Sequence, residues 1–291
     1  MKKHVLFCMI LFIATALSAQ DPGSAPTEKQ RRFHIGASYS FYNASLKITN
    51  FSAHSVWYGS DLGTFTANDD EIARMNNHRT ETCKLNALVV QVGAILLDQT
   101  KGHWFIDASL LLGISAVNTQ TDLDLLSQNK MTVKSDPTNP VVGLSFNLRY
   151  NFNPHWGITA VPEIVYAWGK TNEITDSIHP MTTNFVNDLQ EDFSYGYGRI
   201  ALMASYTGKR FTVSAGPGFY YAQMKNTYSI RRTNPENGYE YSDELKTTLC
   251  SKSFIDGCLR ADWIFIDPLT ISLQVAAGND FCINTGLRFN F

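Results

Sequence analysis

Ten stretches of the chain place apolar residues at every second position. In the first, Phe33, Ile35, Ala37, Tyr39 and Phe41 alternate with His34, Gly36, Ser38, Ser40 and Tyr42. A period of two is the signature of a β-strand with unlike faces. The next four carry their apolar set at Leu88 to Leu96, Trp104 to Ile114, Val142 to Phe152 and Trp156 to Trp168. Ile200 to Tyr206, Phe211 to Tyr221, Ile255 to Phe265 and Ile271 to Ala277 follow. The tenth puts Phe281, Ile283, Thr285, Leu287, Phe289 and Phe291 on one face and Cys282, Asn284, Gly286, Arg288 and Asn290 on the other.

The connections alternate in length. Those after the second, fourth, sixth and eighth strands are short, at Asp98 to Gly102, Asn153-Pro154, Thr207 to Lys209 and Asp267-Pro268. Proline at two of them fixes φ and ends strand pairing. Those after the first, third, fifth and seventh are long, over residues 50–82, 118–140, 170–194 and 226–251. Aromatic residues gather at both strand ends. Trp104, Tyr150, Phe152, Trp156, Tyr206, Phe211, Trp263 and Phe265 lie near the short turns; Tyr39, Phe41, Tyr166, Trp168, Tyr195, Tyr197, Phe219, Tyr221 and Phe281 lie toward the long connections. Two aromatic girdles mark two lipid–water interfaces. The reading is an all-β fold, a single transmembrane antiparallel up-and-down β-barrel of about ten strands, with long extracellular loops and short periplasmic turns. A soluble β-sandwich also alternates, but it explains neither the length alternation nor the aromatics at strand ends.

Composition fits this picture. The mean hydropathy of −0.15 is what strands with one lipid-facing and one polar face average to. No stretch approaches the roughly twenty apolar residues of a spanning helix. Lys2 and Lys3 precede an apolar run from Val5 to Leu17 that ends on Ser18 and Ala19, the layout of a secretory signal peptide. Residues 1–19 are read as that leader, 20–32 as a short periplasmic tail and 33–291 as the barrel domain. Cys8 lies inside the apolar run and not behind a small residue at its end, unlike a lipidation site. The net charge of −2 becomes more acidic on loss of the two leader lysines and gives no sign of a nucleic-acid partner.

These features resemble the outer-membrane β-barrel domain family of small porin-like and opacity-like Gram-negative proteins. The resemblance covers about residues 33–291 and is carried by the leader, the segment Gly216-Pro217-Gly218-Phe219-Tyr220-Tyr221 and the terminal Leu287-Arg288-Phe289-Asn290-Phe291. It implies an outer-membrane location in contact with lipid and lipopolysaccharide. It further implies that the barrel-assembly machinery reads Leu287, Phe289 and Phe291 as an assembly signal.

Strand parity points Asp107, Arg149, Glu163, Arg199, Asp256, Arg260, Asp262 and Arg288 into the lumen, with Gln91 and Gln274. Four acids and four arginines in a narrow barrel are expected to pair into a network that plugs it, since buried charges need partners. The expected function is that of a monomeric surface or structural interaction module. The alternatives are a narrow diffusion channel lined by the same charges and an outer-membrane hydrolase with a site at the extracellular rim. For the last, the long connections offer His54, Asp61, Asp69, Asp70, His78, Asp176 and His179, none in a motif of fixed spacing. No catalytic motif, metal site or cofactor is expected. Parity also points Cys83, Cys250, Cys258 and Cys282 inward. Cys258 and Cys282 have one strand between them, and two spacings of about 4.8 Å exceed the ~7 Å reach of a disulfide. Cys83 and Cys250 sit at loop bases, where a bridge stays open as an alternative.

Overall fold

The computed structural model describes residues 32–57, 59–97, 103–123, 129–176, 186–233, 238 and 240–291, so the expected leader lies outside the described residues. Thirteen strands and one helix are described: β1 (Phe33–Trp57), β2 (Ser60–Thr66), α1 (Asp69–His78), β3 (Arg79–Leu97), β4 (Trp104–Leu123), β5 (Asn129–Ser135), β6 (Asn139–Asn151), β7 (Trp156–Asp176), β8 (Val186–Thr207), β9 (Phe211–Thr233), β10 (Glu240–Ser251), β11 (Ile255–Ile266), β12 (Leu269–Gly278) and β13 (Phe281–Asn290).

Ten of these close an antiparallel ring in the order β1, β3, β4, β6, β7, β8, β9, β11, β12, β13 and back to β1. They are the ten strands of the alternating pattern. Closure joins the two ends of the barrel chain: Phe33 N donates to Phe291 O at 3.1 Å and Phe291 N to Phe33 O at 2.9 Å. A closed ring leaves no strand edge facing lipid, which a spanning sheet requires. The outward face is apolar, with Ile35, Leu88, Val90, Val92, Ile158, Ile164, Leu202, Leu259 and Leu287 all exposed. Their inward neighbours His34, Ser38, Ser40, Ala201 and Met203 are buried.

Apart from helix α1, the long connections are themselves largely β-structured in their described residues. β1, β3, β4, β7, β8 and β9 run for 19 to 25 residues, whereas a bilayer needs only about 9–11 per strand. Past the membrane rim the outward residues become polar: Tyr39 and Phe41 give way to Asn43, Ser45 and Lys47, and Tyr221 gives way to Gln223 and Lys225. The inward residues become apolar, with Ala44, Leu46, Ile48, Leu85, Val117, Phe193, Met224 and Leu249 forming one buried core.

The ring also narrows. β12 and β13 end at a hairpin whose tip holds Asp280, and above it β10 crosses to pair with β1 from Leu46↔Ser251 onward. β5 replaces β6 between β4 and β7. The wall above the hairpin is therefore β1, β3, β4, β5, β7, β8, β9 and β10, an eight-stranded neck. Asp280 seals the step: its Oδ1 accepts from Ser45 N at 2.8 Å while Lys252 N donates to Ser45 O at 3.0 Å.

Helix α1 packs on the same neck further along β1 and β3. Asn68 and Glu71 form a reciprocal capping box, with Glu71 N donating to Asn68 Oδ1 at 3.0 Å and Asn68 N to Glu71 Oε2 at 2.8 Å. Ile72 and Met75 pack on the neck core. Where β3 has stopped pairing with β1, the Asn76 amide takes over the ladder, accepting from Ile48 N and donating to Ile48 O, each at 2.8 Å.

Candidate functional site in the barrel interior

The interior has three levels. The lowest, between β1, β4, β7, β11 and β13, is polar and holds a cavity of about 50 Å³ lined by Asp107, Ser109, Glu163, Arg260, Asp262 and Arg288 among others. Such a space admits a few waters. Arg288 Nη1 donates to Asp107 Oδ2 at 2.6 Å, and Arg260 grips Asp262 with two bonds of 2.9 and 3.0 Å, a bidentate fork. Arg149 lies beneath, its Nη1 3.4 Å from the hydroxyls of both Thr207 and Thr212 and its guanidinium 5.7 Å from the Phe105 ring centre.

The middle level is aromatic. Tyr42, Tyr195, Tyr197 and Tyr220 are all buried, with ring centres 4.4 Å apart for Tyr42 and Tyr197 and 6.3 Å for Tyr197 and Tyr220. The Tyr42 hydroxyl donates to Glu163 Oε1 at 2.6 Å, tying this layer to the polar one below. Beside it Arg199 Nη2 lies 3.2 Å from Asp256 Oδ1 and also contacts Cys258 Sγ. The top level is the apolar core of the neck, into which β3 and β8 also carry Glu81 and Glu191, 4 % and 1 % exposed.

All eight charges read from parity point inward in this ring, but they do not form four pairs. Three form, Arg199–Asp256, Arg260–Asp262 and Arg288–Asp107. Arg149 and Glu163 make no ion pair among the described residues, because the first sits low against threonines and the second is taken by Tyr42. Tyr195 and Tyr197, expected in the outer girdle, share the parity of Arg199 and belong to the lumen. Cys250 points outward, against expectation: its Sγ meets the hydroxyl of outward-facing Tyr221 at 2.9 Å, because β10 and β11 both pair with β9 but in registers one residue apart. All four described cysteines are free. β12 separates Cys258 from Cys282 through Ala276, and β1 separates Cys83, opposite Ala44, from Cys250, opposite Lys47.

His34 escaped the sequence reading, where it was one polar position among several. Its Nε2 lies 3.0 Å from Ser109 Oγ and its Nδ1 3.6 Å from Asp107 Oδ1. Gly93 makes room for the ring, since a Cβ there would collide with His34 Nε2. The order serine, histidine, aspartate is that of a nucleophile relay. Two features oppose that chemistry here. Asp107 is already held by Arg288, and Ser109 is in ladder register with both Gly93 and Ser145, so its strand lends no free amide pair to an oxyanion. The arrangement is a buried polar brace across β1, β3 and β4. The acids of the first long connection do not converge either: Asp69 and Asp70 stand in the first turn of α1, and His54 Nδ1 lies 3.8 Å from Asp61. His179 lies outside the described residues, and the side chains of His78 and Asp176 are not described. No three His, Cys, Asp or Glu side chains among the described residues come together as a metal site.

A closed antiparallel ring, apolar outside and polar within at membrane height, defines a transmembrane β-barrel. No protein-family model and no curated protein matches the chain. Among solved structures it is similar to the translocator domain of the autotransporter NalP from Neisseria meningitidis, at TM-score 0.40 and 9% identity over 99% of this chain and 96% of that one. It is similar also to the outer membrane protein OprG from Pseudomonas aeruginosa, at 0.37 and 11% over 91% and 98%. A third is the outer membrane protease OmpT from Escherichia coli, at 0.37 and 9% over 92% and 99%. Likeness at this level carries no function across, and the barrel assignment rests on strand pairing and exposure.

Proposed function

We propose that the chain is a monomeric outer-membrane barrel whose lumen is sealed by side chains and whose long neck is a surface module. The observation that carries this is the stack of Tyr42, Tyr195, Tyr197 and Tyr220 across the middle of the lumen, with the apolar neck core above it. The lipid-facing belt and the leader-like first 19 residues support the location, and contact with lipid and lipopolysaccharide follows from it. The barrel-assembly machinery is proposed as a partner because Leu287, Phe289 and Phe291 form an exposed apolar row at the closing strand.

The narrow channel is the second reading, favoured by the charged cavity at the lowest level. Planar-bilayer recording separates the two. The sealed module predicts no steady conductance from the parent barrel, and leak only when the stack is thinned in a Tyr42→Ala, Tyr197→Ala double variant. Steady, ion-selective current through the unaltered barrel would replace the module with the channel.

A further inference from the structure

The neck holds a second polar site that the lumen network does not include. Glu191 on β8 is buried at 1 % exposure. The Tyr228 and Thr171 hydroxyls lie near enough to favour its charged form, but neither carboxylate oxygen has a partner at full hydrogen-bonding distance and angle. Around it stand the Tyr228 hydroxyl from β9, the Thr171 hydroxyl from β7, Asp192 beside it on β8 and Glu81 facing it from β3. Asn226 enters from the same side: its amide nitrogen donates to Tyr228 Oη at 3.2 Å, while its Oδ1, on a side chain 3 % exposed, has no partner. Among the described residues, the groups that act most strongly on Glu191 include no basic side chain. β3 and β8 lie on opposite sides of the eight-stranded wall, so the two glutamates face each other across the lumen and feel each other's charge.

A buried carboxylate without a cationic side chain is stabilised by a metal ion or by a proton. The donors here are all oxygens: two carboxylates, an amide carbonyl and two hydroxyls. That set suits a hard cation, and with only two acidic ligands it is unlike the clusters of histidine and cysteine that hold zinc. We propose that Glu81, Glu191 and Asn226, with Thr171 and Tyr228, form a site for a hard divalent cation of the calcium type that locks the neck. The site is independent of whether the lumen beneath it conducts.

Terbium and calcium test this on the purified full-length barrel in detergent at pH 8 after chelator treatment. Excitation of tyrosine is expected to give saturable terbium emission, since Tyr228 is a ligand and Tyr195 lies in the layer below. Calcium should displace the terbium and raise the unfolding midpoint. Glu191→Gln is expected to bring the emission to background, and Asn226→Ala, which keeps both carboxylates, to raise the calcium half-saturation at least tenfold. Asp69→Asn with Asp70→Asn should leave binding unchanged. No emission from the parent, emission that survives Glu191→Gln, or unchanged calcium binding in Asn226→Ala would overturn the site; the second would assign the ion to surface acids.

Discussion

Glu191 is the residue whose surroundings are most at odds with its charge. Burial in the neck is the main cause that lifts its carboxyl to about 7, from an ordinary value of 4.5, and Glu81 and Asp192 push in the same direction against the Tyr228 and Thr171 hydroxyls. An acid whose folded value is raised binds its proton more tightly folded than unfolded. With chelator present, stability is therefore highest at pH below about 4.5 as far as this group is concerned. It falls as pH rises toward 7, and is flat above, by about 3 kcal/mol in all. Glu191→Gln should remove that slope and be the more stable protein at pH 8, checked by urea unfolding across pH. A parent slope that persists in the variant would place the titration elsewhere. Parity alone found the inward charges Asp107 to Arg288, because it tells in from out. It missed Glu191 and Glu81 because they lie in segments whose outward face is polar, and it missed His34 because direction does not reveal partners.

At the scale of the strand, the membrane-spanning parts were legible and the neck was not, for one physical reason. The eye follows the apolar face. In lipid that face is outward, as in Leu88, Val90 and Val92; in water it turns inward, as in Cys83, Leu85 and Ala87 on the same strand β3. A reader tracking outward apolar residues stops at the rim and names the rest a loop. The last strand had no such reversal, since β13 begins at the hairpin below the neck and never enters it. Beside the assembly role proposed for it, its role is structural, because the mutual hydrogen bonds of Phe33 and Phe291 and the tilted packing of their rings, 6.5 Å between centres, close the ring. Removing Phe291 takes away both bonds and the last apolar step of the lipid-facing row. Membrane fractionation with heat-modifiability on gels should show a sharp drop in folded barrel. Wild-type abundance of the truncated chain would make that residue dispensable for closure.

For the whole molecule, the asymmetry between its two ends sets the orientation. One end has tight turns such as Asn153 to His155; the other carries a neck of strands continued well past the bilayer, ending in β2 with Ser60, all of it exposed. Barrels of this kind put short turns in the periplasm and the longer end outside the cell. The four thiols beyond the leader-like segment make a direct test feasible: Cys83, Cys250, Cys258 and Cys282 are each 8 % exposed or less, so a membrane-impermeant maleimide finds little background on them. Ser60→Cys is expected to react on intact cells, and Asn153→Cys only after the outer membrane is permeabilised. Both positions are exposed and lie at opposite ends of the barrel. The Asn153 side chain also accepts from His155 N and Trp156 N, each at 2.9 Å, so heat-modifiability on gels is read alongside to show that the Asn153→Cys barrel is folded. The reverse pattern would turn the barrel over and put the neck, with its buried glutamates, in the periplasm. A calcium lock would then sense that compartment and not the medium.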